Sequence, residues 1–186
     1  MTEAKKDLIL CFDCDDTLVD EGTQVFDENG DVLRAEPFPG ALEALRDFSA
    51  RGYRLALVAD GTVRSFNNIL RRLGVWDLFE CHIISEAVGE LKPSPKMFNA
   101  AREALGLTEK DFARMVMFGN NRLRDIKGAN GVGMVSVLLD CTPRYVKTAS
   151  SPDEEPDYYT VSPAEWAGVV EDIEKNAPRG PQGKNS

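Results

Sequence analysis

The sequence predicts an α/β domain with a mostly parallel central sheet, on three observations. Short apolar runs of strand length alternate with stretches of helical periodicity along most of the chain. Those runs lack the polar alternation of a half-solvated strand, so they read as strands covered on both faces. Charged residues stand just past their ends, at Asp13, Asp15, Asp60, Lys92 and Asp125. In open parallel sheets, ligands bind in the crevice beyond the carboxyl ends of the strands.

The elements follow in order. Leu8 to Phe12 is a continuous apolar run and reads as the first strand. Asn29-Gly30, set between FDE and DVL, is a hairpin signal, so a small two-stranded flap is expected over about residues 20–36. Leu42, Leu45 and Phe48 recur at helical spacing before Gly52 ends their helix. The strand RLALVAD comes next, then a helix near Val63 to Leu73, a short strand at Cys81 to Ile84, and a helix from about Ser94 to Leu105 stopped at Gly106. Thr108 is placed to cap a short turn through Asp111. MVMFGNN and MVSVLLD read as two further buried strands, joined by the helical segment RLRDIKGAN. SSPDEEPD is a polar loop, DYYTV an edge strand and PAEWAGVVEDIEKN a closing helix. One core domain is expected over residues 7–176, between an N-terminal tail at 1–6 and a disordered tail at 177–186.

Composition narrows the partners. A formal net charge of −9 and a pI near 4.7 oppose binding to nucleic acid or an anionic membrane, both of which need clustered cations. No apolar run approaches the ~20 residues of a membrane span, and MTEAKKD has no signal-peptide core, so a cytoplasmic protein is expected. Cys11 and Cys14 form a C-x-x-C, but both fall in or beside the first strand. His82, the only histidine, cannot complete a zinc shell with them and reads as a core side chain.

The charged cluster carries the chemistry. Carboxylates gathered at strand ends raise one another's pKa unless a cation neutralises them, and a hard cation such as Mg²⁺ suits oxygen donors. Lys92 adds a point positive charge suited to phosphate. Asp16 reads as solvated or turn-stabilising, Asp60 as either a loop anchor or a substrate contact, and Arg122 and Arg124 as a solvated face.

Three motifs in order give the cluster a family likeness. Asp13-Cys14-Asp15-Asp16-Thr17 behind an apolar strand resembles the D-x-D-x-T signature of the haloacid-dehalogenase-like (HAD) superfamily, phosphatase type. Leu91-Lys92-Pro93 resembles that superfamily's lysine motif, and Gly119 to Ala129 resembles its acidic motif. The resemblance implies a Rossmannoid three-layer sandwich and a Mg²⁺-dependent phosphatase. In it Asp13 would be the nucleophile, forming an aspartyl-phosphate, and Asp15 the general acid and base. Lys92 would act on the phosphate, Thr17 would fix the loop, and Asp60, Gly61 and Thr62 would contact substrate. The metal would be held by Asp13, the Asp15 backbone carbonyl, Asn120 and Asp125.

Two departures stand out: Ala59 replaces a phosphate-binding Ser or Thr, and Asn120 replaces an acidic metal ligand. They keep open an alternative, a degenerate member that binds a phosphorylated ligand or partner with little turnover. Neither gap between motifs has room for a cap domain. The site is therefore expected to be open, to a phosphorylated small molecule or a phosphoprotein, or closed by a second copy in a homo-oligomer.

Overall fold

The computed structural model describes residues 6–176, so the tail predicted at 177–186 and all but the last residue of the one predicted at 1–6 lie outside the described residues. Lys6, placed in a tail by sequence, pairs with Glu174 at 3.1 Å. The main sheet has six strands in the order β5-β4-β1-β6-β7-β8, all neighbours parallel. These are β1 (Ile9–Phe12), β4 (Arg54–Ala59), β5 (Cys81–Ile84), β6 (Met115–Gly119), β7 (Val135–Leu139) and β8 (Tyr158–Thr160). The antiparallel hairpin of β2 (Val19–Phe26) and β3 (Val32–Pro37) stands apart as its own small sheet, where the flap was predicted.

Alternation along β1 explains the three layers, because successive strand side chains point to opposite faces. Leu10 and Phe12 pack with Leu45 and Phe48 of α1 (Ala41–Ala50), Phe66 and Ile69 of α2 (Val63–Arg72), and Trp166 and Val170 of α6 (Trp166–Asn176). Ile9 and Cys11 pack on the other face with Met97 and Phe98 of α4 (Pro95–Ala104) and Ala129 of α5 (Lys127–Val132). Phe12 stacks on Phe118 with ring centroids 4.8 Å apart, and both lean on Trp166. Such offset aromatic packing adds about 0.5–1.5 kcal/mol per pair beyond area burial. It fixes β1 against β6 directly beneath the loop that follows each.

Local details differ from the sequence reading in three places. The hairpin turn is longer than the two-residue Asn29-Gly30 turn implies. Asp27 N–H donates to the Asp31 carbonyl at 2.8 Å, and the Asp27 carboxylate accepts from the N–H groups of Asn29 and Asp31. An acidic side chain that satisfies the loop's own backbone makes the longer turn stable. The helical segment after β6 begins as a π-turn at Arg122–Ile126 before α5. His82, read as a core side chain, is only half-buried at the sheet edge, where it stacks on Trp76 and its Nε2 lies 3.0 Å from the Trp76 carbonyl. Cys11 and Cys14 are buried free thiols.

Candidate active site

The loops leaving β1, β4 and β6, with the segment after α3 (Ser85–Val88), meet at the carboxyl end of the sheet. Asp13 N–H still donates to the Phe118 carbonyl at 3.0 Å, so its position is inherited from the β1–β6 ladder. The chain then turns tightly: the amides of Thr17, Leu18 and Val19 all donate to the Cys14 carbonyl. Asp16 takes a left-handed φ of 52° inside this turn, a conformation few non-glycine residues adopt.

Lys92 organises the floor. Its Nζ lies 2.8 Å from Asp13 Oδ1 and 2.7 Å from Asp125 Oδ1, and donates to the Val58 carbonyl at 2.8 Å. The ammonium thus makes one hydrogen bond to a carbonyl and two close ion pairs. The Asp60 carboxylate accepts the Lys92 N–H at 3.0 Å and pairs with Arg124 at 3.3 Å, so Asp60 anchors the lysine loop. Gly119 makes the pocket possible. A Cβ there would stand 2.3 Å from Cγ of Asp125, so the carboxylate fits only over a residue without a side chain.

The charges are crowded. Burial, opposed by Lys92 and reinforced by Asp125, pushes the Asp13 carboxyl above the ordinary carboxylate range. Asp15 rises to about 7, first through burial and then through the charge of Glu21. Burial alone would lower Lys92, but Asp125 and Asp13 hold it well above the ordinary lysine value. One ammonium among three carboxyls leaves an excess of negative charge that a further cation would offset.

The residues fit such a cation. Asp125 is engaged on both sides: its Oδ1 pairs with Lys92 at 2.7 Å but takes no hydrogen bond among the described residues, and its other oxygen accepts the Asn121 N–H at 3.0 Å. Among the described residues no three Asp, Glu, His or Cys side chains converge with metal-ligand spacing. Buried oxygen donors stand in the Asp13 carboxylate, the Asn120 amide and the Asp125 carboxylate. Asn120 is buried, its Oδ1 lies 3.4 Å from the Thr17 hydroxyl, and its Nδ2 has no hydrogen-bond partner among the described residues. A half-turn of the amide would give Thr17 a donor and present the oxygen at the unpartnered position. An orphaned buried amide is a costly arrangement that such a rotation with a bound cation would relieve.

Two residues expected to contact substrate are engaged within the protein, and two expectations of solvation are corrected. The Thr62 hydroxyl is committed elsewhere: it donates to Asp31 of the flap turn at 2.7 Å and accepts the Ser65 N–H as the N-cap of α2. Gly61 donates its N–H to Ser85 Oγ at 2.9 Å, bracing the loop to α3. Asp16 is fully buried rather than solvated, its carboxylate gripped by both Nε and Nη2 of Arg144 at 2.6 Å. Arg122 is buried rather than exposed, donating to the carbonyls of Lys147 and Glu154. Arg124 alone of the two arginines faces solvent in part.

Sequence reasoning missed the wall opposite Lys92. Gln24 of β2 donates from Nε2 to Asp15 Oδ1 at 2.8 Å. Arg144 and Tyr145 reach over from the loop after β7, Tyr145 donating to Glu21 at 2.8 Å. No motif or spacing marks these three residues, whose partners lie more than a hundred positions away or across a β-turn.

The geometry agrees with comparisons to known proteins. A family model described as haloacid dehalogenase-like hydrolase matches residues 20–133, more than half of the chain. The chain belongs to the haloacid dehalogenase-like hydrolase family. A glyceraldehyde 3-phosphate phosphatase of Methanopyrus kandleri is 31% identical over 148 residues, covering 76% of this chain and 59% of the relative. A second protein of that name, from Methanothermobacter thermautotrophicus, is 33% identical over 105 residues, 56% of this chain and 45% of its own length. Haloacetate dehalogenase H-2 of Moraxella is 31% identical over 104 residues, 55% of this chain and 44% of the relative. The chain thus spans about half the length of these relatives. Among solved structures, a HAD phosphatase from Thermococcus onnurineus superposes with a TM-score of 0.71 at 18% identity, over 88% of this chain and 97% of that one. A 2-haloacid dehalogenase from Pseudomonas syringae gives 0.69 at 17% identity, over 89% and 98%. Both share the fold predicted from the motifs.

Proposed function

We propose that the chain hydrolyses phosphomonoesters, with Asp13 as nucleophile and Asp15 as acid and then base. The observation that carries this reading is two carboxyls in one turn with different partners. Asp13 is held on a buried ammonium at 2.8 Å, and Asp15 on the neutral amide of Gln24. A carboxylate fixed beside a cation can attack phosphorus, whereas a carboxyl kept off cations in a buried wall can carry a proton. The family also holds dehalogenases, and members with that activity lack a carboxylate at the position of Asp15, so Asp15 favours phosphoryl transfer.

In the first step an Asp13 oxygen bonds to phosphorus, the bond to the leaving oxygen breaks, and Asp15 gives that oxygen its proton. In the second step Asp15, now a carboxylate, takes a proton from water as the water attacks phosphorus and frees the Asp13 carboxylate with inorganic phosphate. Lys92 opposes the protonation that burial favours at Asp13 and offsets charge on the transferring group. Mg²⁺, held by Asp13, the Asp15 carbonyl and Asn120, would supply further charge neutralisation. Asp60 holds the Lys92 loop in place.

The named relatives favour a small phosphorylated metabolite, and only the β2–β3 hairpin lies between Val19 and Pro37, with α2, a short turn at Trp76–Leu78, β5 and α3 between Thr62 and Leu91, which leaves room for a larger phosphorylated partner. We place the protein in the cytoplasm; no helix among the described residues is long and apolar enough to cross a membrane. The test is phosphate release from a panel of triose, sugar and aryl phosphates and phosphopeptides with Mg²⁺, for the native chain and Asp13→Asn. Loss on the order of 10³-fold or more in the variant is expected. Equal background rates across the panel would reject turnover and favour a second reading, a phosphoryl-ligand binder, for which Ala59 and the orphaned Asn120 amide speak. Calorimetric titration with phosphate and Mg²⁺ then decides that reading.

A further inference from the structure

The wall opposite Lys92 contains a device that the phosphatase reading does not use. Asp16 follows Asp15 directly, is fully buried, and sits in a left-handed turn. Its two carboxylate oxygens receive Arg144 Nε and Nη2, both at 2.6 Å, and Oδ1 also accepts the Glu21 N–H at 3.0 Å. Paired donors in this planar geometry are the strongest form of carboxylate recognition available to a side chain. Arg144 also pairs with Asp20 at the foot of the flap, its neighbour Tyr145 holds Glu21, and the Cys141 thiol lies 3.8 Å from the Asp16 carbonyl. Gly22 leaves the space this requires, since a Cβ there would stand 2.9 Å from Arg144 Nη1. Two residues further along β2, Gln24 donates to Asp15.

We propose that Arg144 is a positioning residue: by clamping Asp16 and Asp20 it holds the foot of the flap so that Gln24 aims the Asp15 carboxyl at the leaving oxygen. This rests on the phosphatase reading for its catalytic part, while the clamp itself is independent of it. Arg144 lies outside the pocket floor. A swinging flap would leave Asp15 with rotamer freedom, and loss of alignment by a fraction of an ångström lowers proton transfer steeply.

The proton assigned to Asp15 provides the test. A poor alkyl leaving group needs the proton of Asp15 in the first step, and an aryl leaving group needs it far less. With Mg²⁺ present, kcat/KM is measured for an alkyl and an aryl phosphate in the native chain, Arg144→Met, Arg144→Lys and Gln24→Leu. Arg144→Met and Gln24→Leu are expected to lose about ten-fold more on the alkyl than on the aryl substrate, with Arg144→Lys between them and the native chain. Amide hydrogen exchange across residues 16–24 is followed in the same proteins. Arg144→Met is expected to exchange at least ten-fold faster there, with β1 and β6 unchanged.

Equal losses on both substrates in the Gln24 and Arg144 variants would overturn the positioning role while leaving the phosphatase reading intact. Native protection across 16–24 in Arg144→Met would overturn the clamp even in a chain that turns nothing over. Absence of turnover in the native chain would reject the phosphatase reading and with it the aiming of Asp15.

Discussion

Asp13 and Asp15 stand two residues apart, yet the walls that hold them are of opposite construction. Asp13 belongs to the strand-end side. Its backbone is in the β1–β6 ladder, its carboxylate meets a Lys92 side chain only 1% exposed, and its neighbours come from β4, β6 and the π-turn. Asp15 belongs to the flap side, where a two-stranded hairpin is held by Arg144, whose side chain is 39% exposed. The floor is fixed by burial and desolvated charge. The wall is fixed by a few directional bonds near solvent, a construction suited to a part that adjusts to substrate.

The contrast can be broken by measurement. Lys92→Met should have the largest effect, since it leaves Asp13 and Asp125 facing each other in a dry pocket. A loss of about 3–5 kcal/mol in urea unfolding is expected for a buried ion pair stripped of one partner. Arg144→Met should lose about 1–2 kcal/mol, because water can reach the Asp16 carboxylate once the guanidinium is gone. Equal losses for these two variants would erase the distinction between floor and wall. Thr62→Ala removes an N-cap and the Asp31 link to the flap turn, and about 1 kcal/mol is expected.

A pH measurement sharpens the same comparison at the far end of the Arg144 loop. Glu154 accepts from Ser150 N–H and Oγ, which hold its carboxyl down to about 2, with Lys127 adding to the effect. A depressed carboxyl contributes stability that is present above its unfolded value of about 4.5 and is lost as pH falls through about 2. The native chain should therefore lose melting temperature across that window more steeply than Glu154→Gln. At the bottom of the scale, Arg34→Ala breaks a pair with both partners largely exposed and should change stability by less than about 0.5 kcal/mol.

The floor was legible in the sequence and the wall was not. Asp13, Lys92 and Asp125 announce themselves because each follows an apolar run or sits in a motif whose spacing places it at a strand end. The strand and helix order was readable for the same reason, since burial on both faces leaves a strong apolar signature. Arg144 left no such trace: the segment CTPRYVKTAS has no periodicity, and its partners Asp16 and Asp20 are set by the tertiary path of a loop. The Thr62 contact was hidden in the same way, since adjacency to Asp60 in sequence gave no hint that its hydroxyl faces Asp31. Arg122 shows the converse error. A charged residue in a polar stretch reads as solvated, but here backbone carbonyls of a distant loop solvate it in place of water.

Gly119 lends itself to a different use. Because Asp125 fills the volume that any side chain at this strand end would need, the smallest possible enlargement, a single methyl, evicts that carboxylate while leaving every charge in the protein unchanged. The alanine form would be an electrostatically matched twin with a disarranged pocket. Such a twin separates what the long-range field of the acidic surface does to an approaching anion from what the ordered site does once the anion arrives.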